Sequence, residues 1–314
     1  MGKIAFVFPG QGSQTVGMGK ELSENFDEVA AVFKQADDRL GESLSTLIFN
    51  GPQETLTKTI NAQPALLTTS IAILQKFKEA DIKADYMAGH SLGEYTALVA
   101  AGALTFEDAI YLVRKRGEFM EEAVPAGKGT MAAVLGMDNI LLKEVTDEVD
   151  QTGYPVQLAN INCPGQIVIS GSTEGVTVAS QKAKESGAKR VIPLEVSGPF
   201  HSSLMKPAAL QLTEVLDQCD IKQSAVPVIA NVTGKQMSDS EEIKRKLIEQ
   251  LYSPVLWQQS VEAMIDLGVD TFIEIGPGKV LSGLIKKINR KVTTYSINDE
   301  ESLQATIASI KGDN

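Results

Sequence analysis

Histidine and cysteine are scarce in this chain, with two of each in 314 residues. That leaves little material for a structural zinc site, which usually takes four Cys/His ligands. Cys163 and Cys219 cannot build a disulfide framework, so a reducing, cytoplasmic compartment is the default. Basic residues are also in deficit. Lys and Arg number 29 against 40 Asp and Glu, a formal charge of −11, whereas general nucleic-acid binding leans on basic surface. No apolar run approaches the ~18 residues that a bilayer span requires, and Met1–Ala5 enters a strand-like segment without a signal-peptide layout. No repeat or low-complexity tract occurs. The apolar share of 43% and charged share of 22% are ordinary globular values, which excludes a disordered chain.

What is present reads as an α/β protein. Lys3–Phe8 is a short apolar run that enters the Gly-rich loop Pro9-Gly10-Gln11-Gly12-Ser13-Gln14, as a buried strand would. Leu22, Phe26, Val29, Phe33, Ala36 and Leu40 recur at helical spacing and predict one amphipathic helix. Gln63–Phe77 is apolar nearly all round, the pattern of a buried helix. Asp85–Ala88 reads as a strand and Glu94–Ala101 as a helix. From about Lys128 the rhythm changes to strand Thr130–Leu135, helix Asn139–Asp150, strands Val156–Asn160 and Gln166–Ser170, helix Glu174–Ser186 and strand Lys189–Leu194. That βαββαβ order is the ferredoxin-like pattern. Strands at Val226–Ala230, Thr271–Ile275 and Val292–Ile297 then alternate with helices at Glu241–Leu251, Val280–Ile288 and from Glu301. Alternation of this kind implies a parallel sheet with both faces covered. The expected division is a main domain from residues 1–126 and 198–314, interrupted by a small α+β insert at 127–197.

Gly89-His90-Ser91-Leu92-Gly93 fits G-x-S-x-G between a strand and a helix, the setting of a nucleophile elbow. There the Leu92 N–H faces a developing oxyanion, and the loop after the first strand can supply a second donor. A serine needs a base. His90 adjoins Ser91 on a tight turn and projects away from its Oγ, so His201, in Ser197-Gly198-Pro199-Phe200-His201, is the remaining candidate. No Asp or Glu stands out as a third triad member, which leans away from an ordinary hydrolase. The first loop is neither a Rossmann nor a Walker A motif, because Thr15 occupies the third glycine's place and no Gly-Lys-Ser/Thr follows. Asn231-Val232-Thr233 is a glycosylation sequon without meaning in a cytoplasmic protein. Arg114, Lys115 and Arg116 read from spacing alone as a solvated helix face. Lys286, Lys287, Arg290 and Lys291 read either as a helix C-terminus favouring cations or as a dock for an acidic partner.

Phe8–Gln14, Gly89–Glu94, Arg116-Gly117, Gly198–His201 and Glu274-Ile275-Gly276-Pro277-Gly278 together resemble the bacterial malonyl-CoA:acyl carrier protein transacylases, in order and in spacing. Gln63–Leu66, Asn160–Gln166 and Gln250–Val255 are similar to further family segments, so the likeness spans nearly the whole chain. It implies an α/β-hydrolase-like domain carrying a ferredoxin-like insert. It also implies that Ser91 carries malonyl as an ester and that His201 is the base, oriented by the backbone carbonyl of Gln250. The Gln11 and Leu92 N–H groups would form the oxyanion hole, and Arg116 would pair with the malonyl carboxylate. Phe200, His90, Gln63 and Asn162 would line the substrate pocket. No metal or cofactor is implied beyond the coenzyme A thioester substrate. The partner would be an acidic carrier protein docking near Lys182, Lys184, Lys189 and Arg190, or near Lys286, Lys287, Arg290 and Lys291. Three alternatives stay open: a serine hydrolase or thioesterase on the same elbow, a stand-alone polyketide-synthase acyltransferase, and a non-catalytic binding domain.

Overall fold

The computed structural model describes residues 2–125 and 127–312; Met1 and the expected domain boundary at Ala126 lie outside them. Numbered along the chain, the strands are β1 (Lys3–Phe8), β2 (Tyr86–Gly89), β3 (Gly129–Leu135), β4 (Val156–Cys163), β5 (Gln166–Ser172), β6 (Arg190–Pro193), β7 (Val228–Ile229), β8 (Gln236–Met237), β9 (Val269–Ile275) and β10 (Thr293–Ile297). Ala5–Phe8 of β1 and all of β2 are buried on both faces, as interior strands of a helix-covered sheet must be.

Six strands form the larger sheet in the order β10-β9-β1-β2-β7-β8. The first five run parallel, and the two-residue β8 pairs antiparallel to β7. The parallel sheet expected from the strand–helix alternation is present, with one short antiparallel strand added at its edge. β1 has β2 on one side and β9 on the other, so the strand order reverses beside it. The crevice outside the carboxyl ends of β1 and β9 is a topological switch point, where α/β sheets place ligands, and the loops leaving β1 and β2 begin beside it.

The smaller sheet is antiparallel, ordered β4-β5-β3-β6, with the helices Asn139–Asp150 and Thr173–Glu185 between its strands. It has its own core of Val134, Leu142, Val149, Ile167 and Ile169. A short bridge joins it to the main body: Ile161 N–H donates to the Val255 carbonyl at 2.9 Å, and Val255 N–H donates to Ala159 O at 2.8 Å. β4 runs on to Cys163, three residues beyond the strand expected at Val156–Asn160, and that extension carries Asn162 toward the large sheet.

Other boundaries differ for local reasons. The single helix expected over Leu22–Leu40 is two, Lys20–Asn25 and Asp27–Leu40, because Phe26 is extended at φ −135°. The strand expected at Val226–Ala230 shrinks to Val228–Ile229. Helices Lys206–Leu216 and Trp257–Asp266 have no counterpart in the pattern read above. No helix among the described residues is long and apolar enough to cross a membrane.

Candidate active site

Ser91 sits immediately after β2, ahead of the helix Leu92–Ala100, with φ 51° and ψ −106°. Such a conformation is costly for a residue with a side chain and persists only where its surroundings impose it. Both flanking glycines follow from close approach. A Cβ on Gly89 would lie 1.9 Å from the Gly93 backbone, and one on Gly93 would lie 2.1 Å from the Phe8 carbonyl. The Ser91 backbone is held at both ends: its N–H donates to Asn231 Oδ1 at 2.7 Å, and its carbonyl accepts from Gln250 Nε2 at 2.9 Å.

His201 lies on the loop after the small sheet, also at positive φ (58°). Its Nε2 is 2.8 Å from Ser91 Oγ, and its Nδ1 is 2.8 Å from the Gln250 carbonyl oxygen. A carbonyl only accepts, so Nδ1 carries the hydrogen and Nε2 is left free to take the Ser91 proton. Burial, seconded by the Arg116 charge, pushes the imidazole down to about 3, so it is neutral at physiological pH. A backbone carbonyl stands where a hydrolase places its acid.

Arg116 overturns the solvated-face expectation. It is fully buried, and Arg114 is buried too, against Asn61 and Glu42. Their helix, Phe106–Glu122, is packed between Thr59–Phe77 and Lys206–Leu216, so residues on opposite sides of it are both covered. Arg116 Nη1 donates to Gln63 Oε1 at 2.7 Å, and Nη2 donates to Gln250 Oε1 at 2.8 Å and Ser91 Oγ at 3.2 Å. Its hydrogen-bond partners among the described residues are all neutral oxygens. No carboxylate among the described residues hydrogen-bonds it, and burying a charge without a partner is costly.

The residues converge on a cavity of about 310 Å³, lined by Gln11, His90, Ser91, Leu92, Arg116 and His201, with Phe200 on its wall. The Gln11 and Leu92 backbone N–H groups donate to no acceptor among the described residues. Gln63 and Asn162 do not line the cavity but stand one side chain behind it. Gln63 holds Arg116, and Asn162 Oδ1 is 2.8 Å from His90 Nε2. Burial lowers the His90 pKa. Asn160 and Met131, from the small sheet, line the cavity without having been anticipated.

Two further residues escaped sequence reading. Asn231, dismissed as part of a sequon, is fully buried; besides holding Ser91 it donates from Nδ2 to Gly89 O at 2.7 Å. Glu94, also fully buried, accepts at Oε2 from Gln250 Nε2 (2.7 Å) and from Asn231 N–H (3.2 Å). Burial pushes the Glu94 carboxyl from 4.5 up to about 7, against the pull of those hydrogen bonds and of Arg116. The proton held by the native state favours folding below 4.5, and that contribution is lost as pH rises through about 7. Glu94→Gln should therefore gain about 2.5 kcal/mol on the wild type between pH 5 and pH 8, the part of the shift from 4.5 to about 7 that titrates in that window, at 1.36 kcal/mol per unit. Paired denaturant melts at the two pH values measure this, and a pH-independent difference would exclude a titrating Glu94.

Residues 5–308 match the acyl transferase domain family. The chain is 64% identical over 314 residues to the malonyl CoA-acyl carrier protein transacylase of Bacillus subtilis, covering 100% of this chain and 99% of that one. Its fold is similar to that of an acyl carrier protein S-malonyltransferase from Vibrio cholerae, with TM-score 0.95, 45% identity and coverage of 97% and 99%. It is equally similar, at TM-score 0.95 and 44% identity, to a malonyl-transacylase in complex with a type II PKS acyl-carrier protein, covering 98% of this chain and 99% of that one.

Proposed function

The chain belongs to the acyl transferase domain family, and we propose that it moves malonyl from malonyl-CoA through Ser91 to the phosphopantetheine thiol of an acyl carrier protein, in fatty-acid synthesis. One observation carries the chemistry: Ser91 Oγ lies 2.8 Å from His201 Nε2 and 3.2 Å from the Arg116 guanidinium. As His201 Nε2 takes the hydroxyl proton, Oγ attacks the thioester carbonyl. The unpartnered Gln11 and Leu92 N–H groups receive the oxyanion. Collapse expels coenzyme A thiolate, which takes the proton back from His201, and the carrier thiol repeats the cycle in reverse. Malonyl places its free carboxylate one methylene from the reacting carbonyl, within reach of Arg116. A guanidinium suits it because its planar fork donates two parallel hydrogen bonds. Exchange of thioester for ester and back is nearly balanced, so the transfer needs no cofactor.

For the architecture, we read the larger part as α/β-hydrolase-like, formed by residues 1–126 and 198–314. The insert at 127–197 reads as ferredoxin-like, supported by its βαββαβ order and β4-β5-β3-β6 sheet. A cytoplasmic location is consistent with Cys163 and Cys219 both being free thiols.

Incubation with radiolabelled malonyl-CoA and acid quenching tests the reading. A transferase retains label until a holo carrier protein arrives, a hydrolase releases malonate, and a binding domain takes up nothing. The structural relative bound to a type II PKS carrier keeps a polyketide role in view; discharge by a polyketide carrier but not by a fatty-acid carrier would favour it. Phe200 is buried beside His201 on the cavity wall. Phe200→Ser should raise the methylmalonyl-to-malonyl ratio of acylation rates by opening space near the substrate's α-carbon. An unchanged ratio would place Phe200 outside the acyl subsite.

The two basic clusters flank one feature, the turn between β4 and β5. Lys287 Nζ donates to Gln166 Oε1 at 3.1 Å, and Gly136, beneath the Lys189 side chain, donates from N–H to Gly165 O at 2.7 Å. Lys189, Arg190, Lys286, Lys287, Arg290 and Lys291 are exposed, while Lys182 is paired with Glu148. Since the chain carries −11 overall, docking of an acidic carrier needs such a local patch. Reversal of Lys189 and Arg190, or of Lys286 and Lys287, to Glu should raise the carrier's KM and leave malonyl loading from coenzyme A intact. An unchanged carrier KM in both reversals would move the dock elsewhere.

A further inference from the structure

Beneath the elbow lies a buried polar relay whose members are far apart in sequence. Glu94 is its only acid, and its Oε2 accepts from both Gln250 Nε2 (2.7 Å) and the Asn231 N–H (3.2 Å). Each of those neighbours then reaches the reacting groups. Asn231 Oδ1 takes the Ser91 N–H at 2.7 Å, and its Nδ2 holds the Gly89 carbonyl at 2.7 Å, bracketing the turn. Gln250 Nε2 also holds the Ser91 carbonyl at 2.9 Å, while its Oε1 takes Arg116 Nη2 at 2.8 Å and its backbone oxygen faces His201 Nδ1 at 2.8 Å.

We propose that Glu94 is a positioning residue which, through Asn231 and Gln250, sets the nucleophile and the carboxylate clamp relative to one another. The orientation argument is electronic. Gln250 can present its amide with oxygen toward Arg116 only if its NH₂ finds acceptors on the other side, and Glu94 Oε2 and the Ser91 carbonyl are those acceptors. Reversed, the amide would aim NH₂ at a guanidinium and strand two buried donors, each costing a lost hydrogen bond. Ser91 itself holds a positive φ that its own side chain does not favour, so the brackets from Asn231 and Gln250 sustain it. Glu94 is separated from the substrate cavity by the groups it orders and does not line it. Its second oxygen, Oε1, has no partner among the described residues. An amide in its place can thus keep Oε2's acceptor role and put its NH₂ where no bond is broken.

The relay has two arms with different readouts. The Asn231 arm ends on Ser91, which every acyl substrate uses. The Gln250 arm ends also on Arg116, which serves a substrate bearing a second carboxylate. This inference rests on the acyl-transfer reading above, and the experiment keeps the two apart. Acylation rates with labelled malonyl-CoA and acetyl-CoA are measured for wild type, Glu94→Ala, Glu94→Gln, Asn231→Ala and Gln250→Ala, with melting curves on each. Absence of label on wild type overturns the transfer reading itself. With wild type active, Glu94→Ala should lose ~10²-fold in malonyl loading, the size of effect a misplacement of about 1 Å produces, and less in acetyl loading. Glu94→Gln should recover most of that loss. Asn231→Ala should slow both substrates by a similar factor, ~10–10²-fold, as for deletion of its two buried side-chain hydrogen bonds to Ser91 N–H and Gly89 O, whereas Gln250→Ala should depress malonyl more than acetyl. A purely structural Glu94 predicts instead equal loss for both substrates that tracks the melting temperature. That pattern, wild-type loading by Glu94→Ala, or equal malonyl-to-acetyl ratios in Asn231→Ala and Gln250→Ala would each overturn the proposal. The last comparison stands even where Glu94→Ala does not fold.

Discussion

Ser91→Ala should retain no label from malonyl-CoA after acid quenching, and His201→Ala should form the same adduct ~10²–10⁴-fold more slowly, the usual span for loss of a general base. The first change removes one oxygen from a turn whose conformation is imposed from outside, by the Asn231 and Gln250 brackets and by the Gly89–Gly93 and Gly93–Phe8 approaches. The fold should therefore survive it. The second removes a base that burial and the Arg116 charge keep neutral, with a pKa of about 3. Its proton-accepting form is already complete at pH 7. The acylation rate should accordingly show no histidine inflection near 6.5, the ordinary value. Near-normal loading by either variant would remove the Ser–His assignment.

Arg116→Ala should divide the substrates. Malonyl-CoA would bring a carboxylate into a buried site with its cation gone, and breaking a buried pair costs ~3–5 kcal/mol, or ~10²–10⁴-fold in rate. Acetyl-CoA has no carboxylate to strand. It should lose far less and can gain, because the variant also removes an unpaired buried charge and the hydrogen bond from Nη2 to Ser91 Oγ at 3.2 Å. Single-turnover acylation with both thioesters reads the ratio. Equal loss for the two would make Arg116 a packing residue whose charge is incidental. Arg116→Lys is an informative companion, since one ammonium cannot donate to Gln63, Gln250 and a bidentate carboxylate in the same plane.

The amino-acid sequence alone determined a good deal. Short apolar runs and helical spacings placed most strands and helices, because those patterns record how each element is buried. G-x-S-x-G between strand and helix singled out Ser91, since a tight turn needs residues that tolerate close backbone approach. Scarcity of histidine left His201 as its partner. These are local signals, or simple counts, and they need no knowledge of what lies across the fold.

Other features were decided only when distant segments met. Arg114 and Arg116 read as solvated because three neighbouring cations usually are, and the spacing carried no trace of the helices packed on both sides of theirs. The His201 orienting group is a backbone carbonyl, which every residue possesses, so no side-chain pattern marks Gln250 for that task. Asn231 and Glu94 are 137 positions apart, and nothing near either one announces the other. β8 has two residues, too few for alternation to register. Local sequence records a residue's own backbone preference and exposed face. Hydrogen bonds between buried polar groups depend on which distant chain segment arrives opposite, and that is settled by the packing of the whole core.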